Sequence, residues 1–138
     1  MASLIYNSAL DDIARGNIDV LADTIKVMLV GSGYTENKDT HTKRSDVTSE
    51  VAGAGYTAGG ATVTPTITKD NATDRIDIGL PGSVWNPATI TARKAVYYKS
   101  RGGAASADEL IAVVDFGSDV VSTAAAFTLS ASTLRIQN

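Results

Sequence analysis

The chain has 138 residues, 43% of them apolar and 20% charged, with a formal net charge of −3, one histidine and no cysteine. A chain of this length suits a single domain with a genuine core, and the balance of apolar and charged residues excludes disorder and low complexity. Without cysteine there is no disulfide, no thiolate nucleophile and no zinc-thiolate site, and lysines and arginines scattered singly give no basic stripe for a nucleic-acid backbone.

The first sixteen residues, MASLIYNSALDDIARG, carry Asp11 and Asp12 where a signal peptide needs an apolar core. Asn7 or Ser8 is placed to cap a helix, Leu10 and Ile13 are three apart, and Gly16 supplies a stop, so one short helix is expected over residues 8 to 15. Residues 1 to 22 then form an N-terminal arm and helix, and 23 to 138 the body of one domain. Asp11 and Asp12 diverge on a helix and are expected in solvent. In TIKVMLVG the alternation of Ile25, Val27 and Leu29 with Lys26 and Met28 predicts a first strand over residues 24 to 30.

Residues 31 to 60 follow, rich in Gly, Thr, Ser, Asp and Lys, and only THTKRSDVTSEV suggests a helical turn. A loop of this length in a compact domain usually carries function. Its end, AGAGYTAGG, resembles a phosphate-binding loop only superficially. The spacing Gly53, Gly55, Gly59 is one residue too long for a dinucleotide fingerprint, a strand follows where a helix is needed, and there is no G-K-[ST]. His41 is expected in solvent, and no G-x-S-x-G elbow accompanies the serines. With one histidine and no cysteine a transition-metal site is not expected, and no cofactor is implied. Tyr34 and Tyr56 bracket the loop and bring apolar area with a polar tip, which suits an interface.

From Ala61 the pattern is β almost throughout. ATVTPTITKD and RIDIGL read as a hairpin turning through DNATD, with Pro65 marking an edge. Asp70, Asn71 and Asp74 lack the spacing of a calcium loop and read as turn residues. PGSVWNPATI reads as a further turn, and Trp85 within it as a plug of the core. In ITARKAVYYKS, Ile90, Ala92, Val96 and Tyr98 are expected on one face with Lys94 interrupting it, and Tyr97 and Tyr98 on opposite faces. ELIAVVDFG is apolar on both faces, as a central strand is. Phe127 and Leu129 are out of phase with Leu134 and Ile136, which predicts a bulge or turn near Ser132. Seven or eight short strands at this spacing predict a mainly β domain, an antiparallel β-sandwich of jelly-roll or immunoglobulin-like type. The longest apolar runs are far below the about 20 residues that cross a bilayer, so no membrane is expected.

IKVMLV, KDTH, GYTAGG and ATITAR, set within the span from Asp23 to Phe127, together resemble a family of small virion structural proteins of tailed bacteriophages. The resemblance implies a non-enzymatic component of the virion, assembled in the host cytoplasm. It implies no catalytic or ligand residues. One role is a capsid decoration or cement protein that binds the assembled head through the major capsid protein; the alternative is a tail or fibre-associated adaptor or receptor-binding protein. Attachment to a shell suggests a homo-oligomer, with a trimer matching shell symmetry. The expected partner-facing parts are the long loop, with Tyr34, His41, Arg44 and Tyr56, and the N-terminal segment. A tail role expects Trp85 or Tyr98 at the surface.

Overall fold

A computed structural model describes residues 2 to 138. Eight strands and one helix follow in chain order: β1 Ala2–Ile5, α1 Asn7–Arg15, β2 Ile25–Val30, β3 Ala61–Val63, β4 Thr66–Asp70, β5 Arg75–Leu80, β6 Ser83–Lys99, β7 Leu110–Leu129 and β8 Ser132–Gln137. They form two antiparallel sheets, one of five strands in the order β1-β7-β6-β2-β3 and one of three in the order β4-β5-β8. The mainly β sandwich expected from the sequence is the fold found.

The two sheets bury a common apolar layer. Ile25, Val27 and Leu29 of β2, Trp85, Ile90 and Tyr97 of β6 and Phe127 of β7 meet Ile78 and Leu80 of β5 and Leu134 of β8. The five-stranded sheet is also buried on its other face. There Met28, Val30, Val96, Tyr98, Leu110 and Val113 pack beneath Tyr6, Ala9 and Tyr34, which come from the helix region and the long loop. The lysine and methionine alternating along β2 therefore do not mark a solvent face: Met28 and Val30 are as buried as Val27.

Several local expectations change. β1 was not expected as a strand; it adds an edge to the larger sheet, running from Ala2 opposite Asp115 to Ile5 opposite Ala112. The helix is capped at Tyr6 without a side-chain bond, so neither Asn7 nor Ser8 caps it, while Gly16 closes it at φ 78° as expected. Ala9 rather than Leu10 is its buried residue. ATVTPTITKD is two strands, not one, because Pro65 falls at the corner where the chain leaves the larger sheet for the smaller. The β4–β5 hairpin is present, with Ile67 opposite Ile78.

SVWNPATI is not a turn but the first half of the 17-residue β6. This strand keeps its pairing with the 20-residue β7 through four register shifts. The shift between Ala92 and Lys94 is a bulge that reverses the phase. Ile90 and Ala92 before it face the sandwich layer, whereas Val96 and Tyr98 after it face the opposite side. Lys94 interrupts nothing: it stands where the strand changes face. Tyr97 and Tyr98 lie on opposite faces as expected, and both rings are buried.

Candidate functional surfaces

The long loop lies flat on the sheet. Its chain bonds to β2 through Val51 N to Leu29 O at 3.0 Å and an isolated bridge between Glu50 and Val30, and to β6 through Thr89 N to Ala54 O at 2.9 Å. The contact is close enough to require glycine, most tightly at Gly55 and Gly60. A Cβ on Gly55, at φ 83°, would meet the Pro87 carbonyl oxygen at 2.0 Å, and one on Gly60, at φ 78°, would meet that of Val27 at 1.8 Å. The glycines of AGAGYTAGG thus let the backbone turn around Tyr56 and let it press against two strands.

Tyr34 is 1% exposed. Its hydroxyl lies 2.7 Å from that of Tyr6 and 2.9 Å from His41 Nδ1, and its ring stacks on the imidazole at 5.6 Å. The Asn37 N–H donates to the same Nδ1 at 3.2 Å, so in the neutral ring the proton sits on Nε2. Burial holds both tyrosine hydroxyls protonated by raising their pKa above the ordinary 10.0. The exposure expected of Tyr34 and His41 is therefore corrected: Tyr34 is core and His41, partly buried, is its hydrogen-bond partner.

Arg44 opens a short 3₁₀ turn at Arg44–Asp46, where a helical turn was expected. Its Nε donates to Asp108 Oδ2 at 2.8 Å, its guanidinium lies 5.1 Å from the Tyr98 ring centroid, and Tyr98 in turn donates to Gly59 O at 2.6 Å. Burial lifts the Tyr98 hydroxyl to about 12. Beside this pair, Glu109 accepts both Nε and Nη2 of Arg101, at 2.8 and 2.6 Å, and lies 3.5 Å from Lys43 Nζ. Burial opposes ionisation of Glu109, but the Arg101 hydrogen bond, its own backbone N–H and the two positive charges outweigh it and leave the pKa below the ordinary 4.5. Asp46 is likewise held low, by the backbone N–H groups of Thr42 and Lys43 and by nearby His41, against a smaller effect of burial.

Tyr56 is half-buried. Its hydroxyl donates to Glu50 Oε2 at 2.8 Å and accepts from Leu29 N at 3.0 Å, and its ring lies 5.9 Å from Trp85. Lys94, nearly buried, closes the cluster by bonding Glu36 and the Tyr34 carbonyl. The structure thus brings Tyr34 and His41 into contact, sets Arg44 and Tyr56 at separate places along the same loop, and gives each a partner inside the chain. Carboxylates answered by guanidinium, ammonium and backbone donors make a clamp that holds the loop down. Among the described residues no group of three His, Asp or Glu side chains is arranged to hold a metal, and no helix is long and apolar enough to cross a membrane.

The apolar residues left exposed lie elsewhere. On the smaller sheet Ile67, Ile76 and Ile136 share the inward face of Ile78 and Leu134, yet stay exposed. Ile76 and Ile136 line an open depression of about 490 Å³ with Lys69, Asp70 and Arg75. On the larger sheet Val84, Val120 and Val121 are exposed in the far half of the β6–β7 pair. Periodicity hides both groups, since each keeps the alternation of a strand that packs in a core. Comparison with protein-family models, with curated proteins and with solved structures finds no match to this chain.

Proposed function

We propose that the protein is a non-enzymatic structural component of a tailed-phage virion, a decoration protein that binds the assembled head and reinforces it. Two things support this reading. The motifs IKVMLV, KDTH, GYTAGG and ATITAR resemble the virion structural family, and exposed apolar groups stand on two different sheets, which is what a protein bridging neighbouring subunits requires. The second is the observation that carries it. One surface would hold a single subunit; two can span a joint, and repeated weak contacts across a shell gain roughly 10² to 10⁴ in avidity.

The partner-facing surface moves with this reading from the long loop to Ile76 and Ile136 on one side and Val84 and Val121 on the other. A tail or receptor-binding role expects an exposed ring at Trp85 or Tyr98. These residues are 7% and 2% exposed, which weighs for the head.

The test is addition of purified protein to expanded heads that lack it. Binding with a rise in the temperature at which the heads break open is the expected result, with Ile136→Lys and Val84→Lys each weakening it. Heads that neither bind the protein nor gain heat resistance rule the decoration role out, and binding to host cells or cell-wall sugars instead moves the protein to the tail.

A further inference from the structure

β1 covers β7 only as far as Asp115, so from Val120 to Leu129 β7 is paired on its β6 side alone. Among the described residues no strand pairs with its other side, which leaves a row of backbone donors and acceptors. The remaining sheet edges are guarded. β1 and β3 are four and three residues long, β4 follows Pro65 and carries Lys69, and β8 carries Arg135 at its middle. Short strands, proline and charge are the usual means of keeping an edge from pairing. The stretch VVSTAAAFTL, residues 120 to 129, has no charge, no proline and no glycine.

Along this edge opens an apolar cavity of about 190 Å³ lined by Phe116, Val120, Phe127 and Leu129. The residues of the edge also have a matching pattern. Val120 and Ser122 face the sandwich layer opposite Ala92 and Ile90, and after the irregularity at Ala124, whose φ is 47°, Ala125 and Phe127 face it opposite Ala88 and Trp85. The inward positions thus lie symmetrically about the peptide between Thr123 and Ala124.

We propose that the far half of β7 is an interface for a second copy of this chain, the two edges pairing antiparallel about a two-fold axis between Thr123 and Ala124. Val120 then stands opposite Phe127 of the second copy, Val121 opposite Ala126 and Ser122 opposite Ala125, so inward residues meet inward ones and outward meet outward. The two five-stranded sheets become one continuous sheet. Main-chain bonds supply adhesion, and each Val120 adds its side chain to the apolar cavity of the other copy. The nearest charge, Asp119, falls beside Thr128 of the second copy, so no like charges meet. Self-pairing of β8 is different, because a full overlap sets the two Arg135 side chains next to each other at the axis. A two-fold pairing is closed and makes a dimer, not the trimer that shell symmetry suggested. It does not depend on the head-binding role.

The absence of cysteine makes the register testable. In the double variant Val121→Cys with Ala126→Cys, oxidation of dilute protein is expected to give a covalent dimer on a non-reducing gel, since each thiol faces its counterpart on the other copy. Either single variant places its thiol opposite an ordinary side chain and should stay uncrosslinked. Sedimentation equilibrium is expected to show a dimer for the unmodified chain and for Ile136→Lys, and a monomer with an unchanged circular dichroism spectrum for Val120→Lys. A chain that stays monomeric at every concentration overturns the proposal. So does a dimer that survives Val120→Lys and is lost with Ile136→Lys, or single-cysteine variants that crosslink as well as the double one. If β7 amides are protected from exchange only on heads, the edge belongs to another chain's strand and self-pairing is wrong.

Discussion

The loop of residues 31 to 60 is polar at most positions and irregular, yet it is fastened to the sheet from end to end. The far half of β7 is strand throughout but for one irregularity at Ala124 and is rich in valine and alanine, yet among the described residues no strand pairs with one of its edges. The difference lies in where backbone and charge find partners. The loop reaches two strands through backbone bonds at Val51 and Ala54, and its side chains are answered by Asp108, Glu109 and Lys94. From Val120 on, β7 has satisfied one side through β6, and among the described residues no strand pairs with the other. Polarity of sequence is therefore a poor guide to exposure when the polar groups can meet one another. A buried polar network is costly only where a member is left unpaired.

Breaking the loop's core residue tests this first. Tyr34→Ala empties a site 1% exposed and strands the hydroxyl of Tyr6, and it is expected to cost about 3–5 kcal/mol of unfolding free energy, as for other buried aromatics cut to alanine. Tyr34→Phe, which removes only the hydroxyl, is expected to cost about 1–3 kcal/mol. Denaturant titration of the two reads ring and hydroxyl separately. A Tyr34→Ala variant as stable as the parent would show the loop to be merely draped over the sheet.

The next largest effect is expected at Lys94. Lys94→Ala leaves Glu36 without its partner in a site whose side chains are 11% and 20% exposed, and is expected to cost about 2 kcal/mol, less than a fully buried pair because water reaches part of Glu36. Replacing both together, Lys94→Met with Glu36→Leu, is expected to recover most of the loss. If the double variant is no better than the single one, the pair is not what Lys94 contributes.

What could be read in advance followed from whether a signal was local. The short helix with its Gly16 stop, the β4–β5 hairpin and the turn before β8 depend on neighbouring residues, and the sequence carries them. Trp85 as a core plug was legible for the same reason, from a large ring in a β context. The fate of Tyr34 was not, nor that of His41 bonded to it, because the partner Tyr6 comes from an arm 28 residues away whose approach depends on the whole fold. The reversal of face at Lys94 shows why phase alone misleads: the irregular pairing between Ala92 and Lys94, where β7 runs from Val120 to Asp115, leaves Val96 and Tyr98 on the other side without altering the alternation of apolar residues. The open edge of β7 is invisible for a further reason, since pairing is a property of two strands and cannot be read from one.

Acid provides a smaller test of the same clamp. Glu109 has a folded pKa below its ordinary 4.5, so its contribution is fully present above that value and is lost as pH falls through the lower folded one. Asp46 acts with the same sign. Unfolding free energy is therefore expected to drop from neutral pH toward about pH 3. The gap between the parent and Glu109→Gln is expected to narrow over the same range, because protonation turns the parent into a neutral side chain as well. A gap that stays constant would assign the value of Glu109 to its shape alone.

The smallest effect, and the sharpest contrast, is within β7 itself. Val113 and Val121 lie on the same strand, 1% and 64% exposed. Valine to threonine keeps the volume and replaces a methyl with a hydroxyl, so the outcome depends on whether that hydroxyl finds water. Val113→Thr buries it between Tyr98 and Leu110 in the apolar layer under the helix and is expected to cost about 1–3 kcal/mol. Val121→Thr leaves it in solvent with β-branching kept, and the change is expected to stay within about 0.5 kcal/mol in either direction. Denaturant midpoints of dilute protein separate the two. Equal losses would mean that the far half of β7 is covered within the single chain and has no edge to offer; a loss at Val121 that appears only as the protein is concentrated would place the missing cover on another copy.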